Sequence, residues 1–215
     1  MSNYRNSLSS IAEQAQATLA ETHNAREKAL LLTRGVIRLC ADSIRATHRK
    51  QFDQARELLT QVRSRLDETR TSLAQHQDIY YTGYVSDAQK EFAEASATLA
   101  FISGEPLPRP DDLGVEMAPY LNGLAEAASE LRRAILDALR RNDIEPCDRW
   151  MAAMDEVYGL LVTIDFPDAV TAGLRRTTDQ LRGVLERTRG DLTMALRQHS
   201  LEQRLAGYQQ HIENP

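Results

Sequence analysis

Cysteine occurs only as Cys40 and Cys147, which excludes a disulfide framework and any Cys-x-x-Cys metal or redox motif. Glycine (10) and proline (7) are scarce in 215 residues. Few turn-formers mean few loops, and sandwiches, barrels and doubly wound sheets need many. No two glycines stand closer than Gly183 and Gly190, so neither G-x-G-x-x-G nor G-x-x-x-x-G-K-[ST] occurs. The usual backbone cradles for dinucleotides and nucleoside triphosphates are therefore missing. Apolar runs such as Ala29–Leu32 are far shorter than the roughly twenty residues a membrane span requires. The opening residues, MSNYRNSLSSIAEQAQ, hold no apolar stretch of signal-peptide type. A cytoplasmic protein with no membrane contact is the expectation. Lysine is confined to Lys28, Lys50 and Lys90, so the basic charge is almost all arginine. A net charge of −5 argues against an indiscriminate nucleic-acid coat, though not against a local basic patch.

What is present is helical periodicity from end to end. A first long helix is predicted over about Asn6–Arg49, its apolar side drawn from Ile11, Leu19, Leu30, Leu31, Ile37, Cys40, Ala41 and Ile44. Residues 1–20 are polar enough to fray. A second helix spans about Phe52–His76 and a third about Val85–Ser103. Gly104 and the prolines at 106, 108 and 110 stop the third. A fourth runs over about Glu116–Arg141, and Asn142-Asp143 breaks it. A fifth covers about Pro146–Ile164, with the proline where its missing N–H costs little. A sixth, about Asp168–Gln209, is too long for one small domain and is expected to pack partly on another subunit. The fold class is all-α: a single-domain bundle of about six to seven helices over 1–215, with a long C-terminal helix.

Histidines 23, 48, 76, 199 and 211 are scattered, in neither H-E-x-x-H nor the E-x-x-H spacing of di-iron bundles. Each reads as an ordinary surface or core histidine. A metal site must then be built of carboxylates, whose hard oxygens select Mg²⁺ or Mn²⁺ over zinc. Glu91 and Glu94 lie on one flank of a stripe formed by Ala88, Phe92, Ala95, Leu99 and Ile102. Glu126 and Glu130 share a flank of the stripe Tyr120, Leu124, Ala127, Leu131, Ala134 and Ala138. Gly123, in the same column, would let another backbone or a substrate approach. If the two helices pack as antiparallel neighbours, four carboxylates meet, and a divalent cation would relieve their repulsion. The plainer alternative is a pair of solvated helix flanks, with Lys90, Arg132 and Arg133 as ion-pair partners.

At these residues the chain resembles the translin family, on its Trax-like branch. The resemblance runs over about His23–Gln209. It is carried by HNAREKALLLTRGVIRLCADSIRATHR (23–49), KEFAEA (90–95), YLNGLAEAASELRR (120–133) and NDIEPCDRWMAAMDEVY (142–158), in order and at matching spacing. It implies an all-α subunit, a hollow homo-oligomer of octamer type, and Mg²⁺-dependent endoribonuclease activity on single-stranded RNA. By position the family's catalytic and metal-binding acids fall on Glu91, Glu94, Glu126 and Glu130. The family has Asp where this chain has Glu126, one methylene longer and still a hard oxygen ligand. Mn²⁺ is the natural substitute ion.

Two other readings stand beside the nuclease. One is a non-catalytic oligomer binding single-stranded RNA or DNA, its backbone-tracking cations drawn from Arg26, Lys28, Arg34, Arg38 and Arg45, with Lys90 and Arg133 near the acids. The other is a structural bundle for a protein partner. The nuclease reading requires Glu91 and Glu126 to face each other.

Overall fold

The computed structural model describes residues 4–213, with side chains described for 4–207. Residues 1–3 of the stretch expected to fray, and the side chain of His211, lie outside these. Among the described residues there are nine helices and no strand. They are α1 (Arg5–His48), α2 (Phe52–Ser72), α3 (Gln77–Tyr80), α4 (Gly83–Ser103), α5 (Pro110–Leu113), α6 (Met117–Arg140), α7 (Cys147–Leu161), α8 (Asp168–Thr171) and α9 (Leu174–Glu213). Three of the nine are single turns, α3 and α5 inside expected links and α8 at the start of the expected sixth helix, and the six long helices match the sequence pattern. No described helix is long and apolar enough to cross a membrane.

Helix α1 is unbroken from Arg5, although its side chains are exposed until it meets the bundle near Ala25. Its buried stripe differs from the predicted one. Ile11, Leu19 and Leu31 are more than 60% exposed, whereas Ala29, Leu32, Thr33, Val36, Cys40, Ser43, Ala46 and Thr47 are buried. The hydroxyls explain the discrepancy. Thr33 and Thr47 donate to carbonyls one turn back (2.9 Å each), and Ser43 donates to the Ala55 carbonyl of α2 (3.1 Å). With donors satisfied, these residues pack as small apolar groups although they read as polar.

The stripes predicted for α4 and α6 are buried throughout; all but Leu99, which packs against Ala46 and Ala55, form the centre of the core with Trp150, Met154 and Leu181. The direction of α6 overturns one expectation. Both helices run the same way, not antiparallel. The Glu116 N–H at the start of α6 donates to Gln89 in the first half of α4 (3.1 Å), and Met117–Pro119 share a cavity with Tyr80, Val85 and Ser86. At the other end Trp150 of α7, just after α6, donates its indole N–H to the Phe101 carbonyl of α4 (3.2 Å). The connecting residues 104–116 return along α4. Prolines keep them extended, the Tyr120 hydroxyl bonds the Pro108 carbonyl (2.7 Å), and Arg63 bonds the Asp112 carbonyl (2.6 Å). Nine extended residues and the four of α5 reach about 36 Å together and a 21-residue helix is about 32 Å long, so the return is geometrically possible.

The expected sixth helix is divided. Ala172 and Gly173 adopt left-handed backbone (φ 51° and 81°) and separate α8 from α9. Asn122 holds this junction, donating to the Thr171 carbonyl (2.9 Å) and accepting from the Thr177 hydroxyl (2.7 Å). The far part of α9 leaves Met194, Leu201 and Leu205 more than half exposed.

Candidate functional site

The place where α4 and α6 approach most closely is Gly123. A Cβ built there would stand 2.4 Å from the Lys90 carbonyl and 2.9 Å from the Glu94 nitrogen. The glycine admits the backbone of α4, one of the two possibilities its position suggested. The contact sets Gly123 against Lys90–Glu94, an offset of 29–33 residues between the helices. From there the Lys90 side chain reaches Glu126 (2.8 Å), and the charge of Glu130 is felt at Glu94.

One carboxylate oxygen from each of Glu91, Glu94 and Glu126 lies within 4.8 Å of the others, all three half-buried. Lys90 stands among them, its Nζ 2.8 Å from Glu126 and 3.5 Å from Glu91. The ammonium is thus turned into the acids and not out along a nucleic-acid path. Burial pushes the Glu91 carboxyl above its ordinary range against the pull of Lys90. Glu94, deeper, is pushed up to about 8, first by burial and then by the charges of Glu91, Glu126 and Glu130. Crowding of this kind is relieved by concentrated positive charge.

Glu130 is treated differently by its surroundings. Its Oε2 is 2.8 Å from His48 Nε2. That hydrogen bond, the His48 charge and nearby Arg133 hold the Glu130 carboxyl below its ordinary range despite burial. The His48 side chain is 4% exposed at the end of α1. It is the site residue that the sequence left among ordinary histidines. No short-range spacing marks it, because its partner is 82 residues away. Cys40 of the same helix is buried against the cluster, and burial together with Glu91 and Glu94 suppresses its ionisation.

The remaining candidates lie outside the cluster. Arg132 pairs with Asp191 (2.8 Å) and not with the acids. Arg133 is exposed and makes no ion pair among the described residues. On α1, Arg26 pairs with Glu27 (2.7 Å), while Arg34 and Arg38 are exposed with no ion pair among the described residues. Arg26, Arg34 and Arg38 are not gathered with the four acids.

The donor set is oxygen only, with three carboxylates converging on one point and a fourth adjoining Glu94. It suits Mg²⁺ or Mn²⁺ and offers zinc no sulfur or free imidazole.

This arrangement can be set against known proteins. The chain is 32% identical to AfC3PO in the structure of its duplex RNA complex, with a TM-score of 0.79 over 86% of this chain and 95% of that one. The crystal structure of AfC3PO gives 33% identity and a TM-score of 0.78, covering 86% and 96%. C3PO proteins are translin/Trax-family proteins. The chain belongs to the translin family. The crystal structure of apo-NeC3PO, 18% identical with a TM-score of 0.71 over 87% and 96%, shares the fold of this translin-family chain. An uncharacterized protein of Methanocaldococcus jannaschii is 30% identical over 189 residues, 87% of this chain and 83% of that protein. No family model matches the sequence.

Proposed function

We propose that this translin-family chain is a Mg²⁺-dependent endoribonuclease acting on single-stranded RNA within a hollow homo-oligomer of octamer type. The observation that carries the proposal is the convergence of Glu91, Glu94 and Glu126 within 4.8 Å, with Glu130 held beside them by His48. RNA as substrate class is supported by the likeness to AfC3PO, whose structure was solved with duplex RNA. Self-association is supported by the exposed apolar residues Met194, Leu201 and Leu205 on α9 and Leu8, Ile11 and Leu19 on α1.

Glu91, Glu94 and Glu126 would hold the ion. When bound, Mg²⁺ supplies Lewis acidity toward a phosphodiester and lowers the pKa of water. Glu130 is the carboxylate kept ionised, so it is the group able to accept a proton from an attacking water. His48 fixes that carboxylate in one orientation. Lys90 neutralises Glu91 and Glu126 in the metal-free protein and must give way when the ion binds.

The placement of Lys90 also favours a second reading, a non-catalytic oligomer that binds single-stranded RNA or DNA, because an internal ammonium already satisfies two of the acids. Cleavage separates the two. End-labelled single-stranded RNA is incubated with the protein in Mg²⁺, Mn²⁺ or EDTA, beside the Glu91→Gln/Glu126→Gln variant. The nuclease reading expects metal-dependent cutting that a folded, assembled variant loses. RNA retained on a gel but left intact in every metal would replace it with the binding oligomer.

A further inference from the structure

Next to the acid cluster, the C-terminal ends of α1 and α6 flank an open cavity of about 610 Å³ whose wall is almost entirely cationic. Arg45, Arg49 and Lys50 come from the end of α1, and Arg133 and Arg141 from α6. Only one carboxylate, Asp137, lines it. His48 belongs both to this wall and to the hydrogen bond with Glu130, so cavity and acid cluster are contiguous through one side chain.

A structural role accounts for part of this charge. Basic residues at helix C-termini offset the macrodipole, worth about half an elementary charge per helix end. Arg45 is paired with Asp42, and Lys50 reaches Asp143 at 3.8 Å. Three guanidinium groups remain. Arg133 and Arg141 have no ion pair among the described residues, and Arg49 uses only Nε, on the Arg45 carbonyl (3.2 Å). Two helix ends and Asp137, itself 3.5 Å from Arg140 outside the cavity, do not neutralise three arginines. The backbone that carries them is fixed. Each helix closes through a left-handed residue, Lys50 (φ 60°) and Asn142 (φ 56°). The next N–H reaches back to Ala46 and to Ala138 respectively (2.9 Å each), a cap that leaves the arginines projecting in set directions.

We propose that this cavity is a phosphate-binding subsite that takes a phosphate of the RNA strand adjoining the one held at the acid cluster. The inference rests on the nuclease reading for the identity of the strand, but its chemistry is independent of cleavage. Planar guanidinium forks bind phosphate oxygens through paired hydrogen bonds, and the unneutralised positive charge of three of them around one cavity favours a phosphate there. His48 links the two places, so a strand seated here is registered against Glu130.

The test measures binding of a decauridylate with a 3′ fluorophore to the full-length protein in EDTA, where nothing is cut. The RNA carries either a 5′-phosphate or a 5′-hydroxyl. Arg133→Gln/Arg141→Gln is compared with Arg175→Gln/Arg182→Gln, the same charge change on exposed arginines elsewhere. The cavity variant is expected to weaken binding about tenfold or more, and its plot of log affinity against log salt to lose about 0.7 of slope, the value for one phosphate contact on a single strand. The control pair is expected to change affinity less than about twofold. Weakening confined to the 5′-phosphorylated RNA assigns the cavity to a terminal phosphate. Equal weakening of both assigns it to an internal phosphodiester. Unchanged affinity and slope in the cavity variant overturn the subsite even if the wild-type protein cuts RNA. Wild-type binding without cutting, lost in the cavity variant, sustains the subsite while removing the nuclease.

Discussion

Glu94 makes proton release a direct reporter of metal binding. Its carboxyl is pushed up to about 8 by burial and by three neighbouring carboxylates. A raised carboxyl pKa favours the neutral form, so at pH 7 about nine-tenths of metal-free molecules carry a proton there. A carboxylate must lose that proton to become a ligand. Mn²⁺ titrated into the protein at pH 7 is therefore expected to release about 0.9 proton, seen calorimetrically as a dependence of apparent enthalpy on buffer ionisation heat. Apparent affinity should climb with pH, about fiftyfold between pH 6 and 8, and level off above Glu94's pKa. Ionising Glu94 without the ion costs stability as pH rises from its unfolded value toward 8, so added Mn²⁺ should raise the melting temperature more at pH 8 than at pH 6. Glu94→Gln should bind Mn²⁺ more weakly and release no proton at this step. PH-independent affinity between 6 and 8, with no proton released by the wild-type protein, would refute the crowding argument.

Two further outcomes follow from the same geometry. Gly123→Ala should destabilise the protein by about 2 kcal/mol, because an overpacking cost near the top of the roughly 1–3 kcal/mol range, against immovable backbone, outweighs about 1 kcal/mol of helix propensity. For a chain of this size that is roughly 4–8 °C in thermal melting, and an unchanged midpoint would place α4 and α6 apart at this residue. His48→Ala should cut nuclease activity about 10–100-fold and move the acid limb of the pH–rate profile upward, since Glu130 loses the hydrogen bond that favours its ionised form. His48→Gln, which keeps a donor, should recover part of the rate; an unmoved acid limb in the alanine variant would remove His48 from the mechanism.

The sequence by itself determined the helices and the four acids. The stripes of α4 and α6 have a 3.6-residue period of apolar side chains, and that period is local, so Glu91, Glu94, Glu126 and Glu130 could be placed on their flanks without knowing the fold. The sixth helix read as continuous because nothing local announces a left-handed Ala172 beside Gly173. The buried face of α1 was misread because Thr33, Ser43 and Thr47 look polar until their hydroxyls find carbonyls. Tertiary structure decided what the acids meet. The parallel course of α6 depends on a proline-rich return path, and its register on α4 depends on a backbone contact at Gly123. His48 joins Glu130 only because α1 ends beside the middle of α6, across 82 residues of chain. Periodicity is encoded within one turn of helix, whereas partners so far apart are fixed only when the whole core packs, which is why the acids were legible and their histidine, their lysine and their arginine-lined neighbour were not.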